Sequence, residues 1–437
     1  MTPPQPSRAL GLSRGAFPLA WLVVLAHVGA TLRGGAHADD GLAEGTEPPA
    51  ASRHVRIVVG FDGSCPHDPA GVSEEGEARF RIFPSWRYTP GIDEEAVGRS
   101  TRLGFKIVNA GPSTKEVNLL IDWQYHDAPP KDRPNFASVE HYMSYRDFVV
   151  VQWPKSEKWH TVMADVEDSV AHVRLNAPPG ESEVHWHPPY NYAQSERFVK
   201  SLRDQPLVKV EKIGESPEGR NLWLLRITDT WPRSKENFLI RARVHPYESA
   251  SSYSMEGMVQ WLLSDDAYAA AALHDYVFYV LPMANPDGVY NGMGALTAPR
   301  GADVCFIPYE PDEVMRSMKE AIDQVRPAVA IDLHNWQNKH TDGLLGLDPT
   351  VRERFVRFMP DQLQFGKQWT IRDPKPLSSK IPEKELLRSY CERNFGAVAV
   401  TFEFPWFGRT PDDMRVTGRK ALWGLLRALD PPPENMR

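Results

Sequence analysis

The second half of the chain alternates short apolar runs with helix-like segments, and this alternation constrains the fold more than any other feature. Four of the apolar runs are FLIRARV (238–244), YVFYVLPM (276–283), AVAIDLH (328–334) and AVAVTFEF (397–404). A strand that is apolar on both sides must be covered on both faces, which is typical of a mostly parallel sheet between helices. Residues 190–437 are therefore predicted to form an α/β domain with a mostly parallel or mixed sheet covered by helices.

The preceding region has a different pattern. Between residues 53 and 180, short stretches such as VNLLIDW, FVVVQW and VAHVRLNAP are separated by clusters of Gly, Pro, Asp and Ser. Short strands with regular turn signals are typical of a β-sandwich. Residues 53–180 are predicted to form a smaller all-β sandwich domain, and residues 39–52 a flexible linker that leads into it.

Residues 1–38 have the pattern of an export signal. Arg8 and Arg14 precede the apolar core AFPLAWLVVLA, and an A-x-A motif ends at Ala38. A membrane anchor is the alternative, but polar and charged residues interrupt the run too early for a comfortable span. The sequence therefore predicts a cleaved signal peptide, an exported protein that is periplasmic or secreted, and no membrane span in the mature chain.

Composition narrows the classes of partner and of metal site. The formal net charge is −7 and no long basic run occurs, so nucleic acid is not expected as a partner. The three cysteines, Cys65, Cys305 and Cys391, are too few and too scattered for a disulfide scaffold or a cysteine-rich zinc site. They are expected to be mostly structural.

Ionisable residues follow or end three of the apolar runs. His245 and Glu248 follow the first run, His334 ends AVAIDLH, and Glu403 lies within AVAVTFEF. In open α/β sheets, ligands bind outside the carboxyl ends of the strands, so these side chains are expected to converge. Two imidazoles and one carboxylate are usual ligands of a catalytic zinc ion, and a further carboxylate can serve as general base.

These segments, in this order and spacing, resemble the zinc carboxypeptidase family, peptidase family M14. The segments that carry the resemblance are KIGESPEGRNLWLLRIT, RARVHPYES, VLPMANPDGV, IDLHN and TFEF. The resemblance implies one zinc ion per chain, bound by His245, Glu248 and His334, with Glu403 as general base. It further implies that Asp303, in RGADVCF, hydrogen-bonds the first ligand histidine. The segment HWHPPYNYAQSERFVKSL and the β-rich region before it resemble the cytosolic carboxypeptidase subfamily.

The chain departs from the family pattern where a substrate's terminal carboxylate would bind. The family usually continues G-x-D-x-N-R, whereas Cys305 and Phe306 stand at the Asn and Arg positions here. Phenylalanine cannot replace an arginine that binds a carboxylate through two hydrogen bonds. The remaining candidates for substrate binding are Arg300, Tyr390 and Arg409, of which Arg300 and Tyr390 are out of register with the family's residues.

Three functional hypotheses follow from these residues. The first is a zinc-dependent metallocarboxypeptidase that hydrolyses a peptide or peptide-like substrate with metal-activated water and Glu403 as base. The second is a zinc amidase or deacylase of the same type, whose substrate lacks a free C-terminal carboxylate, because the Asn-Arg pair is missing. The third is a non-catalytic protein that binds a peptide or a glycan.

Overall fold

The described residues of the first part of the folded chain form strands and one short 3-10 helix (Pro69–Gly71), and strands that alternate with helices form the rest. The computed structural model describes residues 54–84, 102–123, 147–168, 170–230, 234–294, 303–307, 313–336, 340–359, 369–373 and 385–429. Residues 52–437 make up one compact unit. The predicted signal peptide and almost all of the predicted linker lie outside this unit, and neither is among the described residues.

The first part is a pair of five-stranded sheets that share one core. Its strands are β1 (Val55–Val58), β2 (Val72–Gly76), β3 (Arg79–Ile82), β4 (Gly104–Asn109), β5 (Lys115–Asp122), β6 (Phe148–Gln152), β7 (Trp159–Met163), β8 (Asp165–Glu167), β9 (Val170–Ala177) and β10 (Gly180–His185). One sheet has the order β1-β4-β10-β6-β7 and the other β2-β3-β5-β9-β8. Side chains of β9 alternate between buried and exposed, as expected for a strand with one face on a core. The strands run on to His185, past the predicted boundary at residue 180.

The second part is built on an eight-stranded mixed sheet with the order β11-β12-β14-β13-β16-β20-β17-β18. Its strands are β11 (Val208–Glu215), β12 (Asn221–Ile227), β13 (Glu236–Arg241), β14 (Tyr276–Leu281), β16 (Val329–His334), β17 (Gly343–Gly346), β18 (Thr370–Arg372) and β20 (Val398–Glu403). The short strands β15 (Phe306–Ile307) and β19 (Glu385–Leu386) pair separately. Strands β14, β13, β16 and β20 are parallel neighbours, and every residue of β16 is buried. The predicted fold class, a covered mixed sheet after a β-rich region, is therefore confirmed.

Helices cover the sheet. They are α1 (Tyr192–Ser201), α2 (Ser249–Leu262), α3 (Ala267–Asp275), α4 (Pro286–Tyr290), α5 (Glu313–Val325), α6 (Pro349–Phe358), α7 (Leu387–Phe395) and α8 (Pro411–Leu429). Two separate apolar clusters of this domain use the residues of β13 and β16 in alternation, which explains why those strands are apolar along their length. Among the described residues, none of the helices is both long and apolar enough to cross a bilayer.

Helices α2 and α8 cross in direct backbone contact. A Cβ atom added at Gly418 would lie 1.9 Å from the carbonyl oxygen of Ser254, and one added at Gly257 would lie 1.9 Å from that of Arg415. Neither position has room for a side chain, so each glycine is needed for the close approach. Because α2 begins directly after Glu248 and α8 follows the strand of Glu403, this crossing fixes two parts of the site relative to each other.

We expect Gly418→Ala to lower the free energy of unfolding by about 2 kcal/mol or more, as measured by urea denaturation. Alanine favours an isolated helix by about 1 kcal/mol over glycine, so a loss would report the clash with the backbone of α2. Gly76→Ala is the control, since its Cβ would meet its nearest atom at 3.9 Å. A stable Gly418→Ala protein would contradict the close crossing.

Candidate metal centre

A tight turn after β13 presents His245 and Glu248. The backbone leaves the strand through Arg243, which has a φ of 58°, a conformation that non-glycine residues adopt rarely and at a cost. The Nε atom of Arg243 donates to the carbonyl of Pro246 at 2.9 Å, and the amide of Glu248 donates to the carbonyl of His245 at 3.1 Å. These bonds hold the His-x-x-Glu segment in a turn, so that both side chains point to the same side.

The side chains of His245, Glu248 and His334 meet around one carboxylate. Nδ1 of His245 lies 2.8 Å from Oε1 of Glu248, and Nδ1 of His334 lies 3.0 Å from Oε2. All three residues are buried, and their ligand atoms lie within 4.8 Å of one another. Oε2 is a buried oxygen whose contact with His334 lacks the geometry of a hydrogen bond. Three buried donor atoms that converge in this way are the arrangement that a metal ion requires.

The three groups perturb one another's protonation. Burial would raise the pKa of Glu248, but the charges of His334 and His245 outweigh it and lower that pKa to about 2. Burial would lower the pKa of both histidines, but the charge of Glu248 and the further carboxylate beside each ring together outweigh it and raise their pKa values well above the usual range. Glu248 is therefore an anionic carboxylate in the fold, which is the form that binds a metal ion.

The outer nitrogen of each histidine faces another carboxylate. Nε2 of His245 lies 3.5 Å from Oδ1 of Asp303 without the geometry of the predicted hydrogen bond, and the amide of Cys305 donates to the same oxygen at 2.9 Å. Nε2 of His334 lies 3.2 Å from Oδ2 of Asp332. A carboxylate at this position orients a ligand imidazole and leaves Nδ1 free for the metal.

Asp332 is a site residue that the sequence analysis missed. It accepts hydrogen bonds from Nε and NH2 of Arg241, at 2.9 and 2.7 Å, and both side chains are buried. Strand pairing places the two residues opposite each other in β13 and β16. The sequence does contain a signal for this pair, because one apolar strand includes a basic residue and another includes an acidic residue. A buried charge costs free energy unless it is paired with an opposite charge.

Glu403 ends β20 directly beside His334. The two residues are paired across the parallel strands β16 and β20, so they share the carboxyl edge of the sheet. Burial raises the pKa of Glu403 to about 8, and the charge of Glu248 acts in the same direction. Gly343 on the neighbouring strand leaves room for this side chain, because a Cβ there would lie 2.7 Å from Cβ of Glu403. The sheet thus brings all four predicted residues to one edge.

All three cysteines are buried. Cys305 lies beside the centre, since its sulfur, a nitrogen of His245 and a carboxylate oxygen of Asp303 fall within 4.8 Å of one another. Phe306, which follows Cys305, belongs to the short strand β15 and is half-buried. The structure thus places a thiol and a phenyl ring where the family pattern has an amide and a guanidinium.

Among the described residues, no hydrogen bond or ion pair connects the predicted substrate-binding residues to the metal ligands. Arg300 lies outside the described residues. The Tyr390 hydroxyl donates to Asp323 of α5 at 2.6 Å. The guanidinium of Arg409 is buried and donates to both oxygens of Asp342, at 2.6 and 2.7 Å. The contacts of Tyr390 and Arg409 give no support to a role in substrate binding.

Part of the chain is similar in sequence to known proteins. Residues 196–294 match the family model described as zinc carboxypeptidase, Peptidase M14. The chain is 36% identical over 109 residues to cytosolic carboxypeptidase 6 of Caenorhabditis elegans. This aligned segment covers 24% of each protein. The chain is also 34% identical over 113 residues to cytosolic carboxypeptidase 2 of Xenopus tropicalis. That aligned segment covers 24% of this chain and 12% of the relative. The chain thus spans less than a quarter of the length of these curated relatives.

Solved structures share the fold over a longer range. A metallo-carboxypeptidase from Burkholderia cenocepacia has a TM-score of 0.69 at 17% identity and covers 86% of this chain and 99% of its own. A metallo-carboxypeptidase from Pseudomonas aeruginosa, solved with (2-guanidinoethylmercapto)succinic acid, has a TM-score of 0.68 at 19% identity, with coverage of 86% and 99%. These structures share the α/β fold of this chain and the β-rich region that precedes it. Residues 196–294 are thus similar to the peptidase M14 zinc carboxypeptidase domain, in agreement with the resemblance seen in the sequence.

We expect Asp303→Ala to weaken zinc binding by about 10- to 100-fold, because His245 loses the carboxylate that orients its ring. Competition with a chromophoric chelator measures this affinity directly. Asp323→Ala is the control, since that carboxylate accepts from Tyr390 and has no contact with the triad among the described bonds. Equal affinity of the two variants would show that Asp303 does not support the ligand.

Proposed function

We propose that the protein is a zinc-dependent metallocarboxypeptidase that hydrolyses amide bonds of a peptide or peptide-like substrate. The observation that carries the proposal is the convergence of His245, Glu248 and His334, with Glu403 beside them on the next strand. The family match over residues 196–294 supports the same conclusion.

The donor set fits zinc. Two imidazole nitrogens and one carboxylate are a usual set for a catalytic zinc ion, which keeps a further position for water or substrate. The carboxylates of Asp303 and Asp332 lie beside the outer imidazole nitrogens, so each ring can present Nδ1 to the ion. When bound, zinc supplies Lewis acidity, which polarises a carbonyl group and makes water more acidic.

Glu403 is proposed to move the proton in this reaction. Its carboxylate accepts a proton from the attacking water and returns that proton to the amine that leaves. A pKa of about 8, raised by burial, lies close to neutral pH, where an acid-base group is most effective. A bound dication favours the ionised carboxylate, so the pKa in a zinc-loaded site lies lower and the base form prevails.

We expect Glu403→Gln to lower kcat on peptide substrates by about 10²- to 10⁴-fold, because glutamine cannot accept the proton. Bound zinc, measured by atomic absorption, is expected to stay at the wild-type level. A variant with full activity would exclude Glu403 as the base. Wild-type protein that binds zinc tightly and hydrolyses no peptide would instead favour a non-catalytic binding protein.

A second candidate function is a zinc amidase or deacylase whose substrate has no free terminal carboxylate. The specific observation is that Cys305 and Phe306 replace the family's Asn-Arg pair, while Arg409 is already bound to Asp342. Neither a thiol nor a phenyl ring forms paired, charge-assisted hydrogen bonds with a carboxylate.

Matched peptides with a free and with an amidated C-terminus separate the two functions. A carboxypeptidase is expected to lose about 1.4 kcal/mol or more of transition-state binding on the amidated peptide, which is a tenfold or larger fall in kcat/KM. Equal kcat/KM for the two peptides would favour the amidase or deacylase. The Glu403→Gln protein serves as the blank for both substrates.

A further inference from the structure

Two buried guanidinium groups line one small cavity beside the metal centre. Arg102 lies just before β4 of the sandwich, and Arg243 lies just after β13 of the catalytic domain. The cavity between them has a volume of about 20 Å³. Its wall also includes His185 of the sandwich and Ser249 at the start of α2, so both domains contribute to it.

The hydrogen bonds of these arginines go to neutral acceptors. Arg102 is 7% exposed, and its NH1 atom donates to the carbonyl of Val289 at 2.8 Å. Arg243 is 1% exposed, and it donates to the carbonyl of Pro246 at 2.9 Å and to the hydroxyl of Ser252 at 3.3 Å. Among the residues that the structure describes, neither guanidinium forms an ion pair.

The other deeply buried arginines of the domain form ion pairs with carboxylates. Arg241 is bound through two hydrogen bonds to Asp332, and Arg409 is bound in the same way to Asp342. A buried charge is strongly unfavourable unless it is paired, and an arginine remains protonated in proteins. Arg102 and Arg243 therefore place two positive charges beside one cavity. Neither is hydrogen-bonded to a carboxylate of the described residues, in contrast to Arg241 and Arg409.

The carboxylates whose charges act on these two arginines already have other partners. Asp62 acts on Arg102 only through its charge, and its two oxygens accept the amides of Tyr192 and Ala193 at the start of α1. Glu248 acts on Arg243 in the same long-range manner, while its own oxygens face the two ligand histidines. A negative charge for the cavity must therefore come from outside the described chain.

We propose that this cavity binds a small inorganic anion of halide size, such as chloride, between Arg102 and Arg243. One water-sized sphere needs about 10–15 Å³ of such volume, so the cavity admits a single water or a single halide ion. A water molecule would satisfy hydrogen bonds but would leave both positive charges uncompensated.

The anion would connect the two domains and steady the metal-binding turn. Arg102 holds the end of α4 through the carbonyl of Val289, and Arg243 holds the turn through the carbonyl of Pro246, which lies between His245 and Glu248. An anion that contacts both guanidinium groups reduces their mutual repulsion. It thereby stabilises the contact of the sandwich with the segment that carries two of the ligands.

The test is thermal unfolding of the zinc-loaded full chain in sodium chloride and in sodium gluconate at equal ionic strength. The wild-type Tm is expected to rise with the logarithm of the chloride concentration, relative to gluconate, once the site is mostly filled. Arg102→Met removes one of the two charges and is expected to abolish this difference. Arg81→Met is the control and should keep it, because Arg81 is already paired with Glu75 and Asp122.

A wild-type protein with the same Tm in both salts would overturn the proposal, as would a chloride effect that persists in Arg102→Met. Diffraction from wild-type crystals grown in bromide gives a second measurement that needs no variant to fold. An anomalous peak between the guanidinium groups of Arg102 and Arg243 supports the site. Density for water alone at that place contradicts it.

Discussion

The buried ion pair between Arg241 and Asp332 is the interaction on which the rest of the site depends. It joins the two central parallel strands, β13 and β16, at the point where both approach the site. A buried pair contributes little net stability, but the loss of one partner leaves an unpaired charge at a cost of about 3–5 kcal/mol. A slip of one residue would separate the two side chains, so the pair specifies the strand register and with it the position of His334.

From this pair outward, charges of opposite sign follow one another through the site. Arg241 holds Asp332, Asp332 faces His334, and Glu248 lies between His334 and His245. Each group stabilises the ionised form of the next, which is why the histidines have raised pKa values and Glu248 a lowered one. A metal ion that binds at Nδ1 must displace protons from these imidazoles, so its affinity falls as the pH falls.

The sequence was sufficient for the features that depend on local pattern. Apolar runs that alternate with helical segments predicted the covered sheet, and residues at the strand ends predicted the convergence of His245, Glu248, His334 and Glu403. Parallel strands bring their carboxyl ends to one edge, so this convergence needs no knowledge of side-chain packing.

Side-chain pairing between distant segments could not be predicted in the same way. Arg409 was a candidate for substrate binding, yet its partner is Asp342, which is 67 residues away in the chain. Tyr390 was another, and its hydroxyl binds Asp323 at the same separation of 67 residues. The partner of a buried polar group depends on how the helices pack on the sheet. The hydrophobic periodicity of either segment contains no information about this packing, so the partner could not be predicted.

The segments that carry the metal-binding residues and the segment of Cys305 and Phe306 are held by different contacts. Helix α2 follows Glu248, helix α8 follows the strand of Glu403, and the two helices cross in backbone contact. A hydrogen bond of 3.1 Å from Trp406 to Ser249 adds a direct link between the same two segments. Cys305 and Phe306 lie outside this connection, since Cys305 directly precedes β15 and Phe306 is its first residue. The crossing of α2 and α8 does not involve the side chains of Cys305 and Phe306, so under the proposed function a change at these two positions is compatible with the same helix packing.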